Sequence, residues 1–271
     1  MARPEVRARD REAAAPLIAA EDVAKTYRTT SGDAIKALAG ISLAIGDGDF
    51  VCVVGPSGCG KSTFLRLIAG LDSVSAGRLR LAGSPVRGPS REVGVIFQNA
   101  TLLPWLTILE NALLPLRVGW RQADRDGKVR ELLAKTGLGG FEDKYPYELS
   151  GGMQQRAAIC RALARDPKVL LMDEPFGALD ALTRERMNLE LQDIWQATGK
   201  TILLITHSIA ESVFLGDRVV VMSPRPGRVM GDFAINLPRP RRFDTTPGDP
   251  EYLRLTREIR GLLDRGTRET P

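Results

Sequence analysis

Residues 50–63 read Phe-Val-Cys-Val-Val-Gly55-Pro-Ser-Gly-Cys-Gly-Lys61-Ser62-Thr63, and this stretch decides the fold. The apolar run Phe50–Val54 predicts a strand buried on both faces. The chain then turns through Gly55, Pro56, Ser57, Gly58, Cys59 and Gly60, and from Lys61 to Ala69 the apolar spacing becomes that of a helix. GxxxxGKS in a strand, loop and helix context is a phosphate-binding loop. Its glycines let backbone N–H groups converge on phosphate oxygens at a helix N-terminus, where the dipole also favours anions. Lys61 is expected to reach the β and γ phosphates of a nucleoside triphosphate, and Ser62 to place its hydroxyl on Mg²⁺. Cys59 stands where the pattern leaves the residue free, and a tolerated small side chain explains it as well as a redox role does.

A second stretch, Lys168-Val-Leu-Leu-Met-Asp173-Glu174, is an apolar strand that ends in two carboxylates. Adjacent acids at a strand end call for a cation or a reaction. Asp173 suits a Mg²⁺ shell, and Glu174 is placed to orient or deprotonate the water that attacks a γ-phosphate.

Outward from these motifs, short β-branched runs alternate with helical spacing, the pattern of an α/β sheet. Further strands are predicted at 93–97, 169–172, 201–206 and 218–223. Between Asn99 and Leu149 the strand signals stop, and 107–116 and 123–136 read as helices, so a helical subdomain is inserted at about 99–150. After Ser223 the prolines at 224, 226, 238, 240, 247 and 250 argue against continuous regular structure, with a short amphipathic helix at 251–263 closing the chain. The organisation expected is a disordered leader over 1–16, an ATPase domain over 17–223, and a Pro/Arg-rich extension over 224–271.

Composition narrows the function classes. Over 271 residues, 43% hydrophobic and 26% charged is the balance of a soluble globular chain that buries a core, which excludes disordered and fibrous classes. One histidine and three cysteines are too few for a zinc framework, and the odd cysteine count argues against a disulfide scaffold, so a reducing, cytosolic setting fits. The net charge of +5 is not a nucleic-acid footprint, because most of it falls in residues 224–271 while 17–223 is nearly neutral. No uncharged apolar stretch reaches the roughly 18 residues of a membrane span. The N-terminal residues lack the apolar core of a secretory signal.

Leu149-Ser150-Gly151-Gly152-Met153-Gln-Gln-Arg156 lies between these motifs and closely resembles the signature sequence of ABC ATPases. The other elements of that family follow in order: Gln98 after the strand 93–97, Gly177-Ala-Leu-Asp180 after Glu174, and His207 after the strand 201–206. Tyr27 stands where the family has an aromatic that stacks on adenine. The resemblance implies a P-loop NTPase (RecA-like) α/β fold, a parallel-sheet core with N-terminal β elements and the inserted helical subdomain. It further implies ATP and Mg²⁺ as cofactors, bound by Tyr27, the loop from Gly55 through Thr63, Ser150, Gly151, Gly152 and Asp180, with Ser62, Gln98 and Asp173 toward the metal. Glu174, His207 and Gln98 carry the catalytic assignment, Glu174 as base and His207 holding the γ-phosphate and the attacking water.

In physical terms Ser150-Gly-Gly152 before a helix is a second anion site, redundant within one chain unless it serves another molecule's nucleotide. The resemblance implies a head-to-tail dimer, Ser150 and Gly152 of one protomer closing on ATP held by Lys61 of the other, with Asp180 crossing the interface. Met153 and Gly177 depart from the commonest family residues, Gln and Ser, and are expected to tune activity. Leu102, Leu103 and Trp105 crowd apolar side chains into a loop, read either as core of the helical subdomain or as a groove for a permease helix.

Finer similarity, at Leu102-Leu-Pro-Trp-Leu-Thr, Tyr145-Pro-Tyr-Glu-Leu-Ser150 and Met222-Ser-Pro-Arg-Pro-Gly-Arg228, is to importers of nitrate, aliphatic sulfonates and taurine. Expected partners are a second copy, permease subunits and a periplasmic or lipoprotein solute-binding protein, with no nucleic acid. The expected place is the cytoplasmic face of the inner membrane, peripherally bound. An exporter or a non-transport complex is the alternative.

Overall fold

The computed structural model describes residues 15–117 and 125–268. The expected leader lies outside the described residues except for Ala15 and Pro16, as do Ala123 and Asp124 at the start of the second expected helix. In chain order the elements are β1 (Ile18–Arg28), β2 (Ala34–Ile45), β3 (Phe50–Val54), α1 (Lys61–Ile68), β4 (Ala76–Leu81), β5 (Ser84–Pro85) and β6 (Val93–Ile96). They continue with α2 (Ile108–Arg117), α3 (Arg125–Lys135), α4 (Gly151–Leu163), β7 (Val169–Asp173), α5 (Ala181–Thr198) and β8 (Thr201–Thr206). The last are α6 (Ile209–Leu215), β9 (Arg218–Met222), β10 (Val229–Ala234) and α7 (Pro250–Arg268).

Two sheets carry the fold. The larger has the order β10-β9-β3-β8-β7-β6, parallel throughout except for the antiparallel edge strand β10. Every residue of β3 and β8 is buried, which is why both read as continuous apolar runs: helices or a second sheet cover each face. The smaller sheet, β2-β1-β4-β5, is antiparallel. Its buried residues, among them Ile18, Val23, Ile41, Leu79 and Leu81, join one face of the parallel sheet in a common core. The opposite face packs under α5, α6 and α7 through Leu191, Phe214, Leu255 and Ile259. A third core, built on Ile108, Leu113, Val129, Leu133 and Ala157, belongs to α2, α3 and α4, the helices between β6 and β7.

The segment after Ser223 departs from the expected irregularity. Val229–Ala234 forms β10 and pairs with β9, because the prolines flank this stretch and leave its N–H groups free to donate. The closing helix runs over Pro250–Arg268 and so begins earlier and ends later than predicted. Between β10 and α7, Arg241 is among the most deeply buried residues. Its guanidinium donates to the carbonyls of Val213 (3.0 Å), Phe214 (2.9 Å), Gly216 (2.7 Å) and Leu237 (3.3 Å). The first three are carbonyls at the C-terminal end of α6, which a helix leaves without intrahelical partners, and a cation suits that end of the dipole. Burial lowers the Arg241 pKa to about 9, which leaves it charged at neutral pH. Arg239 beside it stacks on Trp195 at 4.4 Å and pairs with Asp217 at 3.1 Å. Trp195 is therefore a packing aromatic, and Cys52, at the centre of β3, is buried.

Removing the Arg241 guanidinium strands several buried carbonyls at once. Arg241→Met is expected to cost about 3–5 kcal/mol of unfolding free energy, read from denaturant titration, against well under about 1 kcal/mol for an exposed arginine such as Arg242.

Candidate functional site

The parallel register brings the functional side chains together. Val54 lies opposite Thr206, Asp173 opposite Ile205, and Ile96 opposite Met172, so β3, β8, β7 and β6 all stop along one line. The next residues are Gly55 after β3, His207 after β8, Glu174 after β7, and Gln98 two positions beyond β6. Ligands of open parallel sheets sit at this carboxyl edge.

Close packing determines the loop from Gly55 to Gly60. A Cβ on Gly55 would stand 2.9 Å from the Cys59 sulfur and 3.0 Å from the Met222 carbonyl, and one on Gly60 would stand 2.8 Å from the Ala37 carbonyl. Gly60 also adopts φ +105°, a left-handed geometry that starts α1 without a side-chain cap. Lys61 is buried, its ammonium donating to the carbonyls of Gly55 (2.8 Å) and Pro56 (3.0 Å). Cys59 is buried under the loop, and burial pushes its thiol pKa up, the opposite of what a reactive thiolate needs.

The Ser62 hydroxyl donates to Asp173 Oδ1 at 3.0 Å, joining α1 to the end of β7. Burial first, and the neighbouring Glu174 charge after it, raise the Asp173 pKa despite this bond. Glu174 sits at φ +46°, an uncommon backbone for a residue with a side chain, held by its N–H on Ile205 O at 2.9 Å and its own carbonyl accepting from Gly177 N–H at 3.1 Å. That conformation aims Glu174 Oε2 at His207 Nδ1, 3.1 Å away. Gln98 completes the group: a Cβ on Gly177 would meet Gln98 Nε2 at 3.5 Å and Glu174 Oε2 at 3.7 Å. Gly177 thus lies between the expected catalytic groups, closer to the chemistry than a tuning position implied.

Five other expected residues occupy helix starts or the end of β1 nearby. Ser150 caps α4, accepting from Met153 N–H at 3.4 Å, and Asp180 caps α5, accepting from Thr183 N–H at 3.0 Å. Gly151 is exposed while Gly152 is buried. The Tyr27 hydroxyl donates to Asp72 at 2.8 Å, and Lys25 both binds Asp72 at 2.5 Å and lies over the Tyr27 ring at 4.9 Å. Tyr27 also lies within hydrogen-bonding reach of Thr63, so its half-buried ring stands beside α1.

The loop beyond Gln98 divides between the two readings offered for it. Leu102 packs on the helical core, whereas Trp105 is 68% exposed. Buried Asn111 fixes this geometry, accepting from Leu103 N–H and donating to the carbonyls of Leu103, Leu106 and Thr107. Arg161 of α4 holds the preceding turn through the carbonyls of Ala100 and Thr101.

Sequence reasoning passed over Arg184, whose guanidinium donates to the carbonyls of Phe176, Gly177 and Leu179 and so shapes the turn between Glu174 and Asp180. Its position four residues after the Asp180 cap, on the first turn of a helix, is the only signal the sequence carries for it.

The described residues hold no group of three or more His, Cys, Asp and Glu side chains able to bind a metal by themselves, and no helix among them is long and apolar enough to cross a membrane. Comparison with known proteins agrees with the geometry. The model of the ABC transporter family matches residues 38–177. A taurine import ATP-binding protein of Rhizobium johnstonii is 48% identical, the alignment covering 86% of this chain and 90% of that one. A nitrate import ATP-binding protein of a Synechocystis strain is 47% identical over 87% of this chain and 91% of its own. A solved dimeric ATP-binding cassette in a post-hydrolysis state with ADP and Pi superposes with a TM-score of 0.72 at 34% identity, covering 81% of this chain and 99% of that chain. Carrying this family's sequence and fold together with a phosphate loop that faces an acidic strand end, the chain belongs to the ABC transporter family, as an ATP-binding subunit that hydrolyses ATP.

Proposed function

We propose that this chain powers the uptake of a small solute of the nitrate, aliphatic sulfonate or taurine kind, closing as a head-to-tail ATP-bound dimer against a membrane permease. The observation that carries the reading is the chain of contacts along the sheet edge: Lys61 and Ser62 at the loop, Ser62 on Asp173, and Glu174 on His207. In this reading Lys61 leaves the loop carbonyls for the β and γ phosphates, and N–H groups at the start of α1 bind the same oxygens. Tyr27 supports the adenine, with Asp72 fixing its ring.

Mg²⁺ fits the residues present. The Ser62 hydroxyl and Asp173 carboxylate converge as hard oxygen donors, and a cation there would relieve the half-buried carboxylate whose pKa burial raises. Two protein ligands suffice for this ion, which takes the rest of its shell from phosphate and water, and Gln98, beside Glu174, would be the third protein group toward it. When bound it would neutralise charge on the phosphates. Glu174 orients and deprotonates the attacking water, while His207, hydrogen-bonded to Glu174, holds the γ-phosphate side of the site.

Ser150 and the N-terminus of α4 serve the nucleotide of a second copy, and Asp180 crosses to it. Trp105, held outward by the Asn111 network, meets a permease helix. Relatives named for taurine and nitrate import support the direction of transport and the solute class. A solute-binding protein outside the membrane and a peripheral place on its cytoplasmic face complete the assembly.

Glu174→Gln is expected to bind Mg-ATP and accumulate as a dimer on size exclusion, with turnover reduced about 100-fold or more; a strictly monomeric variant at saturating Mg-ATP would refute the dimer. His207→Ala is expected to lower kcat by about 100-fold while the melting temperature stays within about 3 °C of the parent, since the side chain is 57% exposed. In proteoliposomes containing the permease, Trp105→Ala should abolish ATP-driven uptake and leave basal ATPase within about twofold; parallel loss of both, with unfolding, would return Trp105 to the core.

A further inference from the structure

The helices that begin at Ser150 and Asp180 approach each other at their starts, and one residue reaches both. Thr183 donates its backbone N–H to Asp180 Oδ1 at 3.0 Å, completing the cap of α5. Its side chain faces α4: a Cβ placed on Gly152 would stand 3.1 Å from the Thr183 methyl carbon. That is inside the roughly 3.5–4.0 Å at which two carbons settle, so one group would have to give way. A Cβ on Gly151 would meet a Leu179 methyl at 3.6 Å, an ordinary contact.

Gly152 lies inside the helical span of α4, where glycine is less stable than alanine and no left-handed backbone demands it. What excludes a side chain there is Thr183. The two helices meet again further from the site. Arg156 is four residues beyond Gly152 and Glu190 seven beyond Thr183, spacings that keep each on the same helix face, and they pair at 2.6 Å.

We propose that Thr183 is a positioning residue that locks the Ser150 turn and the Asp180 loop into one rigid edge, so that both reach the second copy's nucleotide together. The proposal rests on the dimer reading above. Gly152 is then required for helix packing as well as for any approach of its backbone to phosphate.

The test uses the full-length chain and a compensating pair. Gly152→Ala is expected to lower kcat about tenfold through overpacking. Adding Thr183→Ser, which deletes only the methyl group, should restore kcat to within about threefold of the parent. A double variant as slow as Gly152→Ala alone overturns the proposal and leaves phosphate approach as the reason for the glycine. Thr183→Leu crowds the same contact from the α5 side without altering Gly152. It should lower kcat about tenfold while the monomer's affinity for a fluorescent ATP analogue and its melting temperature stay at parental values; parental kcat in that variant also overturns the proposal. Failure of the dimer reading shows separately, as a monomeric Glu174→Gln, whereas a failed rescue beside a trapped Glu174→Gln dimer removes only the Thr183 tie.

Discussion

Five backbone pairs, from Phe50 opposite Ile202 to Val54 opposite Thr206, hold β3 against β8, and five more hold β8 against β7. This parallel register is the constraint on which the site depends. Side chains alternate faces along a strand, so a slip of one residue between β7 and β8 would turn Asp173 away from Ser62 and take Glu174 out of reach of His207. Burial on both faces resists such a slip, since every shifted residue would meet a core packed for another shape. The 3.0 Å Ser62–Asp173 and 3.1 Å His207–Glu174 contacts are consequences of strand pairing, made by residues more than a hundred and more than thirty positions apart.

The cost of this arrangement is local and visible. Two adjacent carboxylates end a buried strand, and burial with mutual repulsion makes the ionised form of Asp173 less favourable than in water. Glu174 adopts a left-handed backbone that a glycine would take more easily. Both features persist because the surroundings are rigid: Ile205 and Gly177 fix the Glu174 backbone, and Arg184 gathers the carbonyls of the turn that follows. On the other side of the sheet, Arg241 performs a comparable service for α6, the helix that starts directly after His207 and Ser208.

Much of this was legible in the chain. The Gly55–Ser62 pattern, the apolar run into Asp173-Glu174 and the runs at 50–54 and 201–206 carry strong local signals, because each strand here is buried on both faces and Gly55 and Gly60 answer steric demands nearby. The strand β10 was hidden by prolines that flank it without entering it. Arg241 read as part of a basic tail, since sequence does not distinguish a solvated arginine from one enclosed by helix-end carbonyls. Gly177 read as a tuning position, and only the turn geometry places it between Gln98 and Glu174.

The sequence by itself determined which groups were present: a glycine-rich GKS loop, an acidic strand end, a Ser-Gly-Gly helix start and one histidine at a strand terminus. Such features depend on residue type and short spacing, which local sterics and hydrogen bonding convert directly into turns, caps and strands. Tertiary structure alone decided what met what. Strand order put Asp173 beside Ser62 and His207 beside Glu174, and helix packing set Thr183 against Gly152. Those contacts join residues far apart in the chain, and their geometry comes from a core that packs in only one register.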